Sequence, residues 1–475
     1  MSRYTDRILI VVSLFICAAS PVAAEDLMEI YERAVQYDPV LRQAEAIYLA
    51  RLEARPQARS ALLPSLWLSA GSSTSHSEDP NRPISFATGQ PDPDIISREQ
   101  DQSGSSFNVS LSQTVFDWGQ FLALKQADRF LTQTEINYQI ARQNLLVRVA
   151  TTYFMVLAAE DTLASEVSAR EAIGRQLDQA ERRFEVGLIA ITDVQEAQAG
   201  YDLAIAAEIL AQQNLATTQE FLREIVGESV LDLAGPAAEI PLLRPDPANA
   251  EEWVQTALDQ SLPLISSRIE SDIALDEISI QRSVRLPRLS FSGSVGESGS
   301  ATTRINNLIN NAPCLQSPSA CPPLRADSQS DSQRYSFSLN FSIPLFAGGY
   351  NSSRIQQSVY EHRASLEGLE AVARATERET RDAYLSVISE ISRVMALRQA
   401  VESSETALRA TEAGFEVGTR TTVDVLISQN LLSAAETTYA RSRYDYILNV
   451  LRLKLAAGSL NVTDFEEVNS WLEEG

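Results

Sequence analysis

Short segments in which apolar residues alternate with serine or asparagine recur along the chain. Three of them are regular and span Ser106–Phe116, Leu289–Val295 and Tyr335–Ile343, and Leu63–Ser73 is a less regular fourth. One apolar face and one face of small polar groups, over about ten residues, is typical of a membrane β-strand. A soluble sandwich with one wet face is the alternative, but a sandwich needs more strands than these. We therefore predict two strand pairs of a membrane protein.

Very long helical patterns separate the strand pairs. From Gln120 to Val186 the chain has no proline and a single glycine, Gly174. Leu146, Val149 and Tyr153 fall on one face of the predicted helix. Nearly seventy residues at about 1.5 Å each give a rod of about 100 Å. Since the rod lacks a wide apolar face, it needs neighbouring helices in a coiled-coil arrangement.

Shorter helical patterns flank these elements. One precedes each strand pair, at about Leu27–Arg59 and Glu251–Arg282. A return helix follows each long helix and ends near Val226 in the first half and Ala457 in the second. Each of these ends stands directly before a glycine, which is the residue best suited to stop a helix.

The two halves of the chain resemble each other. "RRFEVGLIAITDV" begins at Arg182 and "AGFEVGTRTTVDV" begins at Ala413, and both contain Phe-Glu-Val-Gly followed five residues later by Asp-Val. We interpret this as an internal duplication of one long unit. The predicted boundaries are a first repeat over residues 25–234, a proline-rich linker over 235–250, and a second repeat over 251–475 that ends in a C-terminal equatorial helix.

The two matching stretches are predicted to be tight turns between a long helix and its return helix. Gly187 and Gly418 allow the positive φ that reverses the chain at each tip. The residues able to cap the returning helices are Thr192 or Asp193 in the first half and Thr421, Thr422 or Asp424 in the second.

The first residues of the chain have the pattern of an export signal. Two arginines precede an apolar run, Ile8–Ala19, which is too short for a permanent membrane helix. Val22 and Ala24 have the small side chains and the spacing that a signal peptidase requires. We predict that residues 1–24 form a cleaved signal peptide. Cys17 lacks the small preceding residue of a lipid-attachment site, so we expect a non-lipidated protein.

The remaining cysteines and the charge narrow the chemistry further. Cys314 and Cys321 lie close together in a loop of an exported chain, and we expect a disulfide; two free thiols are the alternative. Two cysteines and two histidines are poor material for a metal site. The formal net charge of −24 argues against nucleic-acid binding.

No catalytic constellation stands out in the sequence. Lys125 and Lys454 are the only lysines, and neither follows a phosphate-binding glycine loop. No Ser/His/Asp or Cys/His arrangement is apparent. We therefore expect neither an enzyme nor a cofactor.

The strand number decides the assembly. Four strands cannot close a barrel in lipid, where unpaired edge groups are too costly. Three copies supply twelve strands, and a barrel of that size has room for water. The predicted fold class is an α+β membrane protein, a trimeric 12-stranded outer-membrane β-barrel with four strands per chain, continued by a long α-helical coiled-coil periplasmic tunnel.

The chain also resembles a known family. "VFDWGQF", "ATTYFMVL", "RRFEVGLIAITDVQEAQAGYD", "IPLFAGG" and "AGFEVGTRTTVDVL" occur in the order and at the spacing of the TolC family of outer-membrane efflux proteins. The resemblance covers essentially the whole chain after residue 24 and is to the TolC branch. It implies a homotrimer in the lipid of the cell outer membrane that extends into the periplasm. It further implies an exit duct for an inner-membrane RND or ABC transporter, joined through a periplasmic adaptor protein.

The resemblance implies a gate at the two tips. The family's aspartate at the first turn matches Asp193, after Thr192, and its arginine at the second turn matches Arg420. Its acidic constriction position matches Asp424, and a threefold ring of this residue is expected to raise the pKa of the carboxylates. Simple helix capping is the alternative role for Asp193 and Asp424. Arg420 is expected to link its tip to a neighbouring hairpin through Asp193 or Thr192.

Two gate positions depart from the family pattern. Phe415 stands where the family has a tyrosine and cannot donate a hydrogen bond, and Ile427 stands where it has a second acid. Glu196 is the repeat partner of Ile427, one helix turn beyond Asp193. We suggest that Glu196 supplies the missing acid; a solvated helix surface is the alternative.

The resemblance also implies that the tips dock a partner. The tip residues expected to contact an adaptor's helical hairpin are Val186, Gly187, Leu188, Val417, Gly418 and Thr419. The competing interpretation is that the two glycines serve only to form the turns. A trimeric structural or adhesive stalk is the alternative function, although a stalk needs no hairpin tips. Because a water-filled lumen carries little specificity, drug efflux and type I protein secretion both fit.

Overall fold

The computed structural model describes residues 24–79, 87, 89–90, 95–230, 232–237, 240–308 and 324–472. The predicted signal peptide lies outside these residues except for Ala24. The predicted disulfide between Cys314 and Cys321 lies outside them as well.

The described chain consists of long helices and one antiparallel sheet. Its helices are α1 (Leu27–Tyr37), α2 (Pro39–Leu52), α3 (Ala54–Ser60), α4 (Trp118–Glu185), α5 (Ile191–Val226), α6 (Ala250–Gln260), α7 (Leu262–Ser283), α8 (Tyr350–Glu416), α9 (Thr422–Ala456) and α10 (Val462–Asn469). Its strands are β1 (Ser65–Asp79), β2 (Ile95–Phe116), β3 (Arg288–Leu308) and β4 (Leu324–Ser342). The two long helices, α4 with 68 residues and α8 with 67, confirm the prediction from the proline-free patterns.

The four strands form one sheet in the order β1-β2-β3-β4, with every neighbouring pair antiparallel. Alternate residues point to opposite faces. On one face, which we call the serine face, hydroxyl groups meet across strands. The Oγ–Oγ distances are 2.7 Å for Ser65–Ser112, 2.7 Å for Ser292–Ser338, 2.8 Å for Ser294–Ser336 and 2.9 Å for Ser298–Ser332.

The opposite face of the sheet, which we call the apolar face, carries most of the large apolar side chains, although Trp67 is on the serine face. Leu68, Val109, Val295 and Tyr335 lie side by side across its four strands. The period-two prediction is therefore confirmed for both faces. The strands contain 15 to 22 residues and are longer than predicted.

The sheet belongs to one of two compact units, which spans Ala50–Thr132 and Ile269–Leu366. The helical segments within this unit are held together by polar contacts. Gln126 Nε2 donates to the carbonyl of Ile273 at 3.0 Å, and Arg129 Nη1 lies 3.2 Å from the Asp276 carboxylate. These contacts join α4 to α7.

The other unit comprises the residues up to Leu49, then Gln133–Arg268, and the chain from Glu367 onward. Its core contains fully buried aromatic and aliphatic side chains of α1, α4, α5, α9 and α10. These include Tyr153, Phe154, Leu222, Tyr446 and Phe465. The Tyr153 hydroxyl donates to the Ala234 carbonyl at 2.6 Å, so this polar group is satisfied within the core.

Residues from α1 and α10 meet directly in this second unit. The rings of Tyr31 and Phe465 have centroids 5.4 Å apart. The Met28 N–H donates to Asn469 Oδ1 at 3.2 Å, and Asn469 Nδ2 donates to Asp26 Oδ2 at 2.9 Å. Segments far apart in the sequence therefore complete one core.

The shorter helices differ from the prediction because they are interrupted. The helix expected over Leu27–Arg59 breaks at Asp38, whose ψ of 119° is extended. Pro39 disfavours a helical conformation in the residue before it. The Asp38 carboxylate, only 2 % exposed, accepts the Leu41 N–H at 2.6 Å and pairs with Arg148, which compensates the break.

The predicted repeat boundaries do not coincide with the compact units, since each unit draws on both predicted repeats. The division at residues 234 and 251 therefore stays a prediction. Among the described residues, no helix combines the length and apolar character needed to cross a membrane.

Candidate functional site: the two helix tips

The first tip joins α4 to α5 through a glycine turn. Gly187 has φ of 75°. Its N–H donates to the Phe184 carbonyl at 2.8 Å, and the Leu188 N–H donates to the Arg183 carbonyl at 2.8 Å. This pair of bonds is the Schellman motif, which ends a helix with a left-handed residue.

The second tip, between α8 and α9, repeats this geometry. Gly418 has φ of 80°, and its N–H donates to the Phe415 carbonyl at 3.1 Å. The Thr419 N–H donates to the Gly414 carbonyl at 2.8 Å, and the Thr419 hydroxyl reaches the same carbonyl at 3.0 Å. The turn predictions for Gly187 and Gly418 are therefore confirmed.

Large apolar side chains are exposed at both tips of the single chain. Val186 and Leu188 are 70 % and 73 % exposed at the first tip, and Val417 is 75 % exposed at the second. Thr419 occupies the position equivalent to Leu188 and is exposed as well. The two turns thus have the same backbone path but differ in polarity at one position.

The returning helices begin in different ways. In α9 the Thr421 hydroxyl accepts the Asp424 N–H at 3.2 Å, and the Asp424 carboxylate accepts the Thr421 N–H at 2.8 Å. This capping box confirms the prediction for Thr421 and Asp424.

In α5 the prediction of a side-chain cap is wrong. The residue before the helix is Ala190, which has no side-chain acceptor. Asp193 lies within the first turn, and its N–H donates to the Ala190 carbonyl at 3.1 Å. Thr192 is an exposed residue of the same turn. The chain reaches helical geometry two residues earlier than a cap at Thr192 requires, and three residues earlier than a cap at Asp193 requires.

The capping box also determines the charge state of Asp424 in the single chain. The Thr421 N–H and then the Thr421 hydroxyl lower the pKa of Asp424 below its usual range, and Arg420 adds to this effect. Arg420 Nη1 lies 3.8 Å from Asp424 Oδ1. The local hydrogen bonds therefore oppose the rise in pKa that a ring of like charges is expected to cause.

Phe415 has a partner that sequence reasoning missed. Its ring is 6 % exposed and packs with Leu408 and Val425. The guanidinium carbon of Arg183 lies 4.4 Å from the ring centre, which is a cation–π contact between the two tips of one chain. Arg183 has Gly414 as its repeat partner, so the two halves differ at this position, but that difference does not identify Phe415 as the residue it contacts.

The remaining gate residues are solvent-accessible in the single chain. Arg420 is paired with Asp424 of its own turn, and Asp193 belongs to the other hairpin. Glu196 and Ile427 are exposed, Ile427 by 53 %. The structure therefore brings Arg420, Thr421 and Asp424 together. The described contacts of one chain do not join Asp193, Glu196 or Ile427 to them.

A cavity of about 250 Å³ lies beside Phe415, between α4, α8 and α9. Arg175, Gln179, Glu412 and Glu416 contribute to its largely polar lining. Gln176 also lines it, and its Nε2 atom is buried without a hydrogen-bond partner among the described residues. A buried unsatisfied donor costs stability unless something else satisfies it.

One group of described residues has the donor types of a metal site. Donor atoms of His76, Glu99 and Asp101 lie within 4.8 Å of one another on the apolar face of the sheet. His76 Nδ1 and Asp101 Oδ1 already pair at 2.7 Å. Because open surfaces often carry such groups, we assign no metal to them.

Comparison with known proteins gives a consistent result. The family model described as "Outer membrane efflux protein" matches residues 30–228 and 253–459. The chain is similar to the outer membrane protein TolC of Vibrio cholerae serotype O1, with 34 % identity over 97 % of this chain and 98 % of the relative. It is also similar to the alkaline protease secretion protein AprF of Pseudomonas aeruginosa, with 28 % identity over 93 % of this chain and 86 % of that protein.

Solved structures share the fold at lower identity. The CmeC outer membrane channel of Campylobacter jejuni superposes with a TM-score of 0.70 at 15 % identity, over 94 % of this chain and 90 % of the channel. The described helices and four-stranded sheet are thus those of a channel-tunnel subunit. The prediction of the fold class is confirmed.

Proposed function

Because this chain belongs to the outer membrane efflux protein family, we propose that three copies form one duct that an inner-membrane RND or ABC transporter recruits through a periplasmic adaptor. The protein is an outer-membrane exit duct that extends into the periplasm. We further propose that the duct is passive and catalyses no reaction. A transporter of that kind supplies the energy and selects the cargo.

The unpaired sheet edges support the trimer. Within the described chain, β1 and β4 each pair on one side only. Open edges in lipid cost several kcal/mol per unsatisfied group, so they need strands from other copies. In a closed barrel the apolar face meets lipid and the serine face meets water.

The gate of this trimer combines charges from both hairpins. Threefold symmetry places three Asp424 carboxylates in a ring, and the capping box keeps them ionised. Arg420 exchanges its loose contact with Asp424 for Asp193 or Thr192 of a neighbouring hairpin when the tips close. Ile427 adds no second ring, and Glu196 supplies acidity at the equivalent level of the other helix.

Exposed apolar tips are the observation that carries the docking proposal. Val186, Leu188 and Val417 stand out from two glycine turns, and an exposed apolar patch marks an interaction surface. The cavity beside Phe415, with the unsatisfied Gln176 donor, offers a polar groove next to them. An adaptor's helical hairpin is a suitable partner because it covers the apolar tips and satisfies the groove.

We favour polypeptides as the cargo because two of the similar proteins are named for protease secretion. The relative from Pseudomonas aeruginosa is described as an alkaline protease secretion protein, and the one from Dickeya chrysanthemi as a proteases secretion protein. Drug efflux uses the same kind of duct. The structural or adhesive stalk is the less suitable function for a family of efflux proteins.

Substitution of the tips tests the proposed function. Leu188→Glu combined with Thr419→Glu is expected to abolish export, because a charge at each tip opposes apolar docking. The trimer is expected to remain intact in native mass spectrometry. Leu188→Met with Thr419→Ser is the matched control, since it keeps the apolar side chain and the hydroxyl bond to Gly414. Normal export by the charged variant would contradict the docking role.

A further inference from the structure

Charged residues of the sheet are sorted between its two faces. The strand registers place paired residues on the same face, so each charge is assigned by its partners. The serine face contains Arg98, Arg304 and Arg334 in the outer two thirds of the strands. Asp79 is the only carboxylate on that face within the four described strands, and the register sets it directly opposite Arg98.

The apolar face carries negative charge in the outer parts of the strands, past its large apolar side chains. Its carboxylates on the described strands are Glu78, Glu99, Asp101, Glu297, Asp327 and Asp331. Its guanidinium is that of Arg325, which pairs with Asp327 at 3.1 Å. In a chain of net charge −24 this segregation leaves the serine face positive.

Two of these arginines, Arg304 and Arg334, face uncharged residues in the strand register. Gly296 stands opposite Arg334 in the register and contributes no side chain. Arg304 donates from Nε to Gln100 Oε1 at 3.1 Å. A guanidinium carries five donors, so most of the donors of Arg304 stay available to a ligand.

Position along the strands separates the two arginines into distinct levels. Gly296, which marks the level of Arg334, and Arg304 are eight residues apart on β3. At about 3.4 Å per residue this is about 27 Å along the strand. Serine hydroxyls of Ser298 and Ser332 lie between the two levels and can also donate.

We propose that Arg304 and Arg334, each repeated three times, form two cationic rings on the serine face that bind anionic groups of the cargo. This inference rests on the proposed trimer, in which the serine face lines the water-filled lumen. Arginine forks recognise carboxylates and phosphates, so acidic segments of a polypeptide and phosphorylated solutes are the ligands that fit. In the proposed duct a cargo meets an acidic ring at the tips and cationic rings on the serine face. The serine face therefore discriminates among cargoes by charge.

Block of single channels by a polyanion tests the proposal. The wild-type trimer is inserted into a planar bilayer. Inorganic tripolyphosphate is added on the side of the bilayer that the outer ends of the strands face. The double variant Arg304→Gln/Arg334→Gln is expected to need about tenfold more tripolyphosphate for half block, which corresponds to about 1.4 kcal/mol. Arg304→Lys/Arg334→Lys is expected to keep most of the block. The difference is expected to shrink in about 1 M salt, where the screening length is about 3 Å.

Arg325→Gln is the matched control because Arg325 is on β4, the same strand as Arg334, but on the opposite face. It is expected to leave the block unchanged. Equal block in conducting wild-type and double-variant channels would overturn the inference and leave the proposed duct intact. Weaker block in Arg325→Gln alone would overturn the inference and also the inward orientation of the serine face. Failure of the wild-type protein to form trimers or channels would overturn both.

Discussion

At the scale of single residues, the tips combine contacts that sequence comparison treats separately. Phe415 replaces a family tyrosine, and from sequence it was expected only to pack. In the structure its ring also holds the Arg183 guanidinium at 4.4 Å, so one contact spans the two hairpin tips. We infer that this cation–π contact takes over part of the work of the missing tyrosine hydroxyl.

Removal of that contact is expected to loosen the resting gate. Arg183→Gln should raise the conductance of the resting trimer about tenfold, since ~0.5 kcal/mol lost in each of three subunits sums to ~1.5 kcal/mol in a concerted opening. Phe415→Leu should give a similar rise in planar bilayers, and the double variant should exceed neither single variant by much.

The neighbouring Arg182 provides the control for this prediction. It lies in the same last turn of α4, and it does not share the ring contact of Arg183. Arg182→Gln should leave the resting conductance unchanged. A rise of equal size in Arg182→Gln would show that the general charge of the tip matters and the ring contact does not.

At the scale of helices and strands, the two returning helices differ in how they begin. Helix α9 starts with a capping box and helix α5 starts with Ala190, although the turns before them have the same Schellman geometry. Backbone reversal therefore does not depend on the cap. The cap instead determines how firmly the first turn of the returning helix is held.

Removal of the cap from α9 is expected to destabilise the first turn of that helix, and addition of a cap to α5 is expected to stabilise its first turn. Thr421→Ala should increase amide hydrogen exchange in the first turn of α9 about fivefold, because an N-cap is worth ~1 kcal/mol. Ala190→Asp should slow exchange in the first turn of α5, and Thr421→Ser should behave like the wild type. Unchanged exchange in Thr421→Ala would contradict the role of the capping box.

The elements show how much of this molecule the sequence predicts. Glycine, proline and hydrophobic period identify the long helices, the tips and the sheet, because these signals are local. The strand ends were missed because the outer parts of β1 and β2 are polar on both faces, and a period-two pattern needs contrast. The break at Asp38 depends on a buried partner, Arg148, that is distant in sequence.

The candidate site was predictable to a similar extent. Thr421, Thr422 and Asp424 were expected as alternative caps of α9, because threonine and aspartate side chains accept backbone N–H groups at a helix start. The structure has Thr421 as the cap and Asp424 as its partner in a capping box. The contact of Arg183 with Phe415 joins two hairpins, so no local pattern contains it. Ala190 was not expected before α5 because caps usually have side-chain acceptors, and here the backbone alone begins the helix.

At the scale of the whole molecule, the unit without the sheet contains a carboxylate, Glu160, whose ionised form is unfavourable. Burial, and then the charges of Asp232 and Asp161, raise the pKa of Glu160 to about 7. The Asp161 carboxylate is itself held by the Tyr444 hydroxyl at 2.5 Å. Folding therefore takes up a proton at Glu160 between its ordinary value of 4.5 and about 7.

The sign of the resulting pH dependence follows from linkage. Since the folded state binds more protons in this window, the contribution of Glu160 to stability is greatest at low pH and decreases as the pH rises through about 7. Glu160→Gln should raise the unfolding midpoint at pH 8 by a few degrees and flatten its pH dependence between about 5 and 8. Thermal unfolding of the trimer at several pH values measures this.

A second carboxylate on the same helix separates Glu160 from general charge effects. Asp178 lies on the exposed side of α4, and Asp178→Asn should preserve the pH dependence of the wild type. A pH dependence that survives in Glu160→Gln would assign the effect to other groups.

The contact of α1 with α10 has a consequence for biogenesis. An exported chain emerges from its translocation pore from one end to the other, and α10 emerges long after α1. The Tyr31 and Phe465 rings cannot meet, and the core around them cannot close, until that last helix has arrived. The unit that contains α1 and α10 must therefore wait with an incomplete core on the far side of the inner membrane. Holding chaperones are expected to protect it there, and a chain shortened before Phe465 is expected to become a substrate for quality-control proteases.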